Sequence, residues 1–228
     1  MRKSLSILFG VALCMGLMAG NASAANGLSV DSTAAMAGTN FGLHVTLEAG
    51  QTNQAWVMAG PDKGFNNETT LNGSFFIGPA DLNINPGQYF QFHNFLQGFG
   101  PASNVKLIFF MHRGLGGGLF ISVWNWNSNV NGWVFTGNGW FANPNDPYFA
   151  TTKIEYSYTA GDPGNLTMWR TLYHGATPDP TGQIQMFSVP VPGQATAAIN
   201  YVFAGMFNKS THPSISGDFY LDEFVYTR

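Results

Sequence analysis

Apolar and polar residues alternate along much of this chain. Between residues 153 and 158, for example, Ile154, Tyr156 and Tyr158 alternate with polar side chains, which is the period of a strand with one buried face. Glu155 is then a solvated outward residue beside Lys153. After residue 24 no segment keeps a helical apolar period over ten residues, because Gly or Pro interrupts nearly every such window. The pattern therefore predicts strands, with helix as a minor component at most.

Thirteen segments have strand character, and breakers such as those in Asn85 to Gly87 and Gly161 to Gly164 separate them. Their spacing of about 8 to 15 residues is typical of a two-sheet antiparallel sandwich. No linker or repeat interrupts the series, so one domain is expected over residues 25–228. The predicted strands are Leu28 to Val30, Phe41 to Leu47, Ala55 to Met58, Glu68 to Phe76, Tyr89 to Phe95, Val105 to Met111, Leu119 to Trp124, Trp133 to Phe135, Lys153 to Tyr158, Leu166 to Tyr173, Ile184 to Val189, Ile199 to Phe207 and Phe219 to Tyr226.

The last segment, Gly217 to Arg228, has apolar residues on both alternation sets. They are Phe219, Leu221 and Val225 on one set and Tyr220, Phe224 and Tyr226 on the other. This distribution predicts a strand that is covered on both faces and lies in the interior of a sheet.

Asp222 is expected on the same face of that strand as Tyr220 and Phe224. A buried carboxylate must be hydrogen-bonded or paired. We therefore interpret Asp222 as a cap on the backbone amides of a neighbouring loop. The alternatives are a calcium ligand and a ligand-binding acid.

The closing segment also resembles a known family. A Gly, several aromatic and aliphatic residues, Asp222-Glu223, Phe224 and a final Arg228 are similar to the last strand of concanavalin A-like jelly rolls, closest to the laminin-G-like modules of secreted bacterial proteins. Three further stretches agree with this resemblance: Leu28 to Leu47, Thr152 to Trp169 and Tyr201 to Met206. The segment Arg170 to Gln185 departs from it, because the family often has a short Asp-Gly hairpin there. The resemblance implies an all-β jelly-roll sandwich whose first and last strands are close together.

The N-terminal segment predicts export from the cytoplasm. Arg2 and Lys3 precede an apolar run, and Ala22-Ser23-Ala24 supplies the small residues that signal peptidase requires. We expect residues 1–24 to be a signal peptide and the mature protein to be secreted, either periplasmic or extracellular. Cys14 does not indicate a lipoprotein, because Leu13 stands where a small residue is needed.

Charge and cysteine content exclude several classes of function. Residues 1–24 contain the single Cys, so the mature chain has no disulfide and no thiolate. The chain carries 9 Lys and Arg against 12 Asp and Glu, and it has no basic cluster. This balance argues against nucleic acid as a partner and against binding to an anionic membrane. No further segment predicts a membrane span.

Catalytic and metal-binding motifs are absent from the sequence. No pair of carboxylates has the close spacing of the glucanase branch of this fold, and no G-x-S-x-G elbow or phosphate loop occurs. The five histidines are scattered, with no pair at metal-ligand spacing. The sequence therefore predicts no catalytic residue, no metal ligand and no cofactor, although calcium stays open.

The segment from Trp124 to Phe141 is the most distinctive polar and aromatic stretch. It holds four of the six tryptophans, interleaved with asparagines. Flat rings and amides together suit sugars, which present C–H faces and hydroxyls. In a strand, two tryptophans two residues apart share a face with the residue between them opposite. Core filling by these rings is the commoner outcome, and a ligand surface is the alternative. The candidate ligand-binding residues are Trp124, Asn125, Trp126, Trp133 and Trp140.

Two classes of function follow. The first is a secreted carbohydrate-binding or adhesion module without catalysis, which the missing carboxylate pair favours. The second is a glycan-cleaving enzyme, a hydrolase or a lyase, whose acid and base residues are dispersed in the sequence. A purely structural extracellular protein is also compatible with the pattern.

Overall fold

The computed structural model describes residues 25–78, 81–99, 105–142, 151–194 and 198–227, so the expected signal peptide lies outside the described residues. Fourteen strands occupy most of this part, and the only helical element in it is a 3-10 turn at Pro61–Lys63. The strands are β1 Gly27–Asp31, β2 Gly42–Leu47, β3 Ala55–Ala59, β4 Thr70–Gly78, β5 Tyr89–Leu96, β6 Val105–Arg113, β7 Leu119–Asn127, β8 Gly132–Ala142, β9 Thr151–Thr159, β10 Gly164–His174, β11 Thr177–Pro178, β12 Ile184–Val191, β13 Tyr201–Asn208 and β14 Gly217–Thr227.

All thirteen predicted strands are present, and the two-residue β11 is the one that the alternation did not predict. Every strand pairing is antiparallel. One sheet, sheet A, has the order β1-β2-β14-β4-β9-β10-β11, with β12 also paired to β10. The other, sheet B, has the order β3-β13-β5-β6-β7-β8. This is the all-β, two-sheet sandwich that the sequence predicts.

The core lies between the inward faces of the two sheets and is rich in aromatic rings. Because side chains alternate along each strand, each sheet contributes every second residue to the interior. Sheet A contributes Leu47, Phe75, Ile77, Ile154, Tyr156, Tyr158, Met168, Phe219 and Leu221, and sheet B contributes Phe90, Phe95, Leu107, Phe109, Met111, Ile121, Val123 and Met206, all buried.

The sheets also approach each other at the edge where β12 packs against β8. A Cβ at Gly137 would lie 2.9 Å from the ring of Phe187, and one at Gly139 would lie 2.6 Å from Met186. Side chains at these two positions of β8 would therefore collide with β12. The absence of a Cβ lets this end of the sandwich close.

β14 lies between β2 and β4, so the prediction of an interior strand is confirmed. The expectation that it is covered on both faces is wrong. Glu223 has φ +47°, and the register against β4 shifts between Asp222 and Val225. This bulge adds one residue and turns Phe224 inward, whereas Val225 points outward and is 53% exposed.

The bulge therefore collects the apolar residues of β14 on one face. Phe219 and Leu221 point inward before it, and Phe224 and Tyr226 point inward after it. Asp222 shares the outward face with Tyr220 but not with Phe224. β1 and β14 belong to the same sheet, with β2 between them.

Candidate functional site

The side chains of strand β7 alternate between the core and the outer face of sheet B. Leu119, Ile121 and Val123 are buried in the interior. Phe120, Ser122, Trp124 and Trp126 point to the opposite side, spaced about 7 Å apart along the strand. The alternation of β7 thus places a line of four side chains, about 20 Å long, on the outside of the sandwich.

The rings at one end of this line are paired across β7 and β8. Trp124 is opposite Phe135, with ring centroids 5.8 Å apart at an interplanar angle of 74°. Trp126 is opposite Trp133, with centroids 5.5 Å apart at 84°. The three tryptophans are half-buried and Phe135 is exposed. We call these four residues the tryptophan row.

Asn125 and Trp140 complete the predicted site residues. Asn125 points into the sandwich and is fully buried; its Nδ2 donates to the Pro192 carbonyl at 2.9 Å, and its Oδ1 accepts from the Thr136 hydroxyl at 2.9 Å. Asn125 is thus part of the interior and does not reach the tryptophan row. Trp140 pairs with Phe120 in the β7–β8 register, and its side chain lies outside the described part.

A second group of side chains continues the outer face of sheet B beyond the tryptophan row. The imidazole of His112, on β6, stacks on Phe120 with centroids 4.7 Å apart at 11°. Its Nε2 lies 2.6 Å from the Ser122 hydroxyl. Tyr89 is opposite His112, with centroids 4.9 Å apart, and it meets His212 edge-on at 4.6 Å. We call Tyr89, His112, Ser122 and His212 the histidine cluster.

The sequence did not reveal this cluster, because its members come from β5, β6, β7 and the loop after β13. The one available signal was that His112 falls on the alternation set of β6 opposite to that of the core residues Phe109 and Met111. Burial, together with a smaller effect of the neighbouring His212, lowers the pKa of His112 to about 4. The imidazole of His112 is therefore neutral at pH 7 and can accept a proton.

His93, unlike His112, points into the core. Its Nδ1 lies 2.6 Å from the Phe203 carbonyl and its Nε2 lies 3.4 Å from the Tyr156 hydroxyl. Complete burial lowers its pKa to about 3, although the hydrogen bond to the carbonyl opposes this shift. His93 is thus a structural residue of the interior.

Two carboxylates that the sequence singled out, Asp222 and Glu155, have partners within the protein. Asp222 Oδ2 accepts from the Met36 amide at 3.0 Å and from the Thr39 hydroxyl, and its Oδ1 accepts from the Glu223 amide at 2.7 Å. The interpretation of Asp222 as a cap of a neighbouring loop is confirmed. Glu155 lies beside Lys153 as predicted, at 3.0 Å.

No group of three or more His, Cys, Asp or Glu side chains in the described ranges is arranged to hold a metal ion. Over these ranges, no helix has the length and apolarity that crossing a bilayer requires.

Solved structures share this architecture over most of the chain. The alginate lyase Aly36B is 10% identical with a TM-score of 0.50, covering 83% of this chain and 82% of the lyase. A variant of that lyase in complex with an alginate trisaccharide is 11% identical with a TM-score of 0.51, covering 82% and 81%. The PL-14 alginate lyase from Aplysia kurodai is 9% identical with a TM-score of 0.50, covering 88% and 86%.

At such identities the similarity establishes the fold. The chain has a concanavalin A-like jelly-roll fold, and the neighbours do not single out the laminin-G-like modules that the sequence resembles. No protein-family model matches the sequence, and no curated protein is significantly similar to it.

Proposed function

We propose that this protein is a polysaccharide-binding jelly roll whose ligand lies along the outer face of sheet B. The observation that carries the proposal is the tryptophan row, in which four partly exposed rings stand together on a two-stranded surface with no charged residue among them. Aromatic faces bind the C–H faces of sugar rings. The two ring pairs lie about 7 Å apart along the strands, so they can contact neighbouring rings of one glycan chain.

The comparison with solved structures supports a glycan as the ligand class. One neighbour of the same fold is in complex with an alginate trisaccharide. The proposal also includes a periplasmic or extracellular location, which rests on the signal-peptide pattern of residues 1–24.

The binding proposal can be tested with single substitutions at the row. Trp124→Ala, Trp126→Ala and Trp133→Ala should each weaken binding of the best glycan from an array by about tenfold while changing the free energy of unfolding little. Trp56→Ala is the matched control, because Trp56 lies on β3 at the opposite edge of sheet B and packs on Phe203 at 4.6 Å. If all three row variants lost about 3 to 5 kcal/mol of stability and none bound glycan more weakly, the row would be core and the proposal would fail.

A second candidate function is glycan cleavage by β-elimination at the histidine cluster. The fold similarity to lyases favours this alternative over a module that only binds. The specific observation is the neutral His112 imidazole next to the Tyr89 phenol. A neutral imidazole can accept a proton and a phenol can donate one, which are the two transfers that the reaction needs.

β-Elimination removes a proton from the carbon next to a carboxylate, so the substrate would be a uronate polymer. His112 would accept the proton from the carbon next to the carboxylate, the electron pair of that C–H bond would form the new C=C bond, and the glycosidic C–O bond would break. Tyr89 would give its proton to the leaving oxygen. No carboxylate takes part, which agrees with the absence of a carboxylate pair in the sequence.

Cleavage is measured by the ultraviolet absorbance of unsaturated ends released from alginate. His112→Gln and Tyr89→Phe should each lower the rate by about 100-fold or more at unchanged melting temperature. Activity should fall as the pH drops through about 4, because protonated His112 cannot accept a proton. A wild-type protein that binds uronate polymers and releases no unsaturated ends would rule out this second candidate and leave the binding proposal standing.

A further inference from the structure

Sheet A has an open groove on its outer face, on the side of the molecule opposite the tryptophan row. Its volume is about 440 Å³, which is within the range of small-ligand sites. The groove crosses β14, β4, β9 and β10. Its outward-facing lining includes Asn72, Ser74, Glu155, Ser157, Trp169 and Thr227. We call it the sheet A groove.

Strand pairing explains why these residues converge. Trp169 is opposite Glu155, and Glu155 is opposite Ser74, so these three form one row across β10, β9 and β4. A second row, one step along the strands, joins Ser157, Asn72 and Thr227 across β9, β4 and β14. The two rows are about 7 Å apart, and four strands span about 14 Å. An aromatic ring therefore stands at one end of a short polar floor.

Apart from Glu155, the polar side chains of this floor have no partner among the described residues. Among the described residues, the side chains of Asn72, Ser74, Ser157 and Thr227 make no hydrogen bond to another protein group. Trp169 likewise has no ring partner there and no acceptor for its indole N–H. Two polar side chains elsewhere on the same face are engaged: His44 contacts two aspartates, and Asp222 caps a loop.

The charge of the lining residues limits which ligands the sheet A groove can bind. Among the described residues that line the groove, Glu155 is the only charged one. Its Oε1 accepts from Lys153 at 3.0 Å, and its Oε2 accepts from Gln183 at 2.7 Å. A carboxylate has further lone pairs that can accept from hydroxyl groups, but it repels an anion. No lining residue offers a cation to a uronate carboxylate.

We propose that the sheet A groove is a second glycan site that binds an uncharged sugar. The apolar face of one pyranose ring stacks on Trp169. Its hydroxyls donate to Glu155 and exchange hydrogen bonds with Asn72, Ser74 and Ser157. This site is independent of the tryptophan row and differs from it in ligand class, because hydroxyl-rich neutral rings suit a floor of unpartnered amides and hydroxyls beside one acceptor carboxylate.

The experiment is isothermal titration of the mature protein with hexasaccharides of glucose, mannose and galactose, and with an alginate oligosaccharide for comparison. Wild-type protein should bind at least one neutral hexasaccharide. Trp169→Ala should weaken that binding by about tenfold, and Ser157→Tyr, which fills the floor from an outward position, should weaken it as much. Trp56→Ala, which belongs to neither site, is the matched control and should leave neutral-sugar binding unchanged, and Trp126→Ala measures what the row contributes.

The outcomes separate the two sites. If no neutral hexasaccharide binds, or if Trp169→Ala and Ser157→Tyr bind it like the wild type, the groove is not a glycan site, and the tryptophan row is unaffected by that result. If Trp126→Ala abolishes all binding, the row alone carries the affinity and the groove proposal is overturned. Melting temperatures check that Trp169→Ala is folded, and Ser157→Tyr provides a second variant should it not be.

Discussion

At the scale of single residues, His44 is a side chain whose charge is coupled to the fold. It lies on β2 between Asp31 of β1 and Asp218 of β14; its Nδ1 is 2.9 Å from one carboxylate and its Nε2 is 2.8 Å from the other. Tyr220 meets the ring edge-on at 5.0 Å. Burial alone would lower the pKa of His44, but the contacts with Asp218 and Asp31 outweigh it and raise the pKa above the ordinary value.

This arrangement predicts a pH-dependent stability. Because the folded protein holds the proton of His44 more tightly than the unfolded chain does, the stabilisation is complete below about pH 6.5 and is lost as the pH rises through the raised pKa. His44→Gln should remove this pH dependence. The substitution should lower the free energy of unfolding below about pH 6.5 by about 1 kcal/mol, a small value because the ion pairs are partly exposed. Denaturant unfolding between about pH 6 and pH 9 measures it. Thr46→Ala, on the same face of β2, should keep the wild-type slope, whereas equal slopes for wild type and His44→Gln would contradict the prediction.

Lys209 illustrates a residue that sequence reasoning could not place. It is fully buried, and its ammonium donates to the carbonyls of Glu48 at 2.5 Å and Ile215 at 2.6 Å. A lysine in a turn-rich segment ordinarily predicts a solvated surface. Its actual role, as a donor to carbonyls from two different loops, depends on contacts that only the folded chain creates.

At the scale of elements, alternation predicted where strands lie better than which way their residues point. The period of two is a local property and is visible in the sequence. A bulge reverses the period with a single added residue, and neither Glu223 nor the residues around it carry the Gly or Asn that would have signalled a left-handed backbone. The apolar pattern of β14 therefore predicted its interior position, but it could not predict its single apolar face, because the bulge has no signal in the sequence.

Glu223 is the extra residue that the bulge adds to β14. Deleting Glu223 removes the bulge and leaves plain alternation in which Phe224, which stacks on Phe75 at 5.5 Å, and Tyr226, which packs on Phe65 at 5.6 Å, still point inward. Because each ring keeps the burial that is worth about 1.5 to 3 kcal/mol, we expect the deletion variant to fold and to melt cooperatively. Circular dichroism measures the melt.

Glu223→Gly is the matched control for this deletion. It keeps the residue count and removes the Cβ from a position with φ +47°, so it should be as stable as the wild type or more stable by up to about 1 kcal/mol. An unfolded deletion variant beside a stable Glu223→Gly would contradict the prediction, because it would mean that the bulge itself is needed to keep Phe224 and Tyr226 inward.

At the scale of the whole molecule, the sandwich was predictable and the sites were only partly so. Regular strand spacing and the absence of helical periodicity determine a two-sheet architecture. The tryptophan stretch was visible because its residues are neighbours in sequence on β7 and β8. The histidine cluster and the sheet A groove were not visible, because each is assembled across three or more strands that only the sheet order brings together.

The two proposed sites lie on opposite faces of the sandwich, so one molecule can hold two glycan chains. The inward faces of the sheets are about 10 Å apart, and both sites open outward, away from each other. A protein with this geometry should cross-link polysaccharides that bind the two faces. Mixing it with both polymers should raise light scattering as protein is added, and scattering should fall again when excess protein occupies every chain singly. Trp126→Ala and Trp169→Ala should each shift the onset of scattering to about tenfold higher protein concentration while retaining binding at the intact face. Undiminished scattering from either variant would mean that cross-linking does not pass through these two faces.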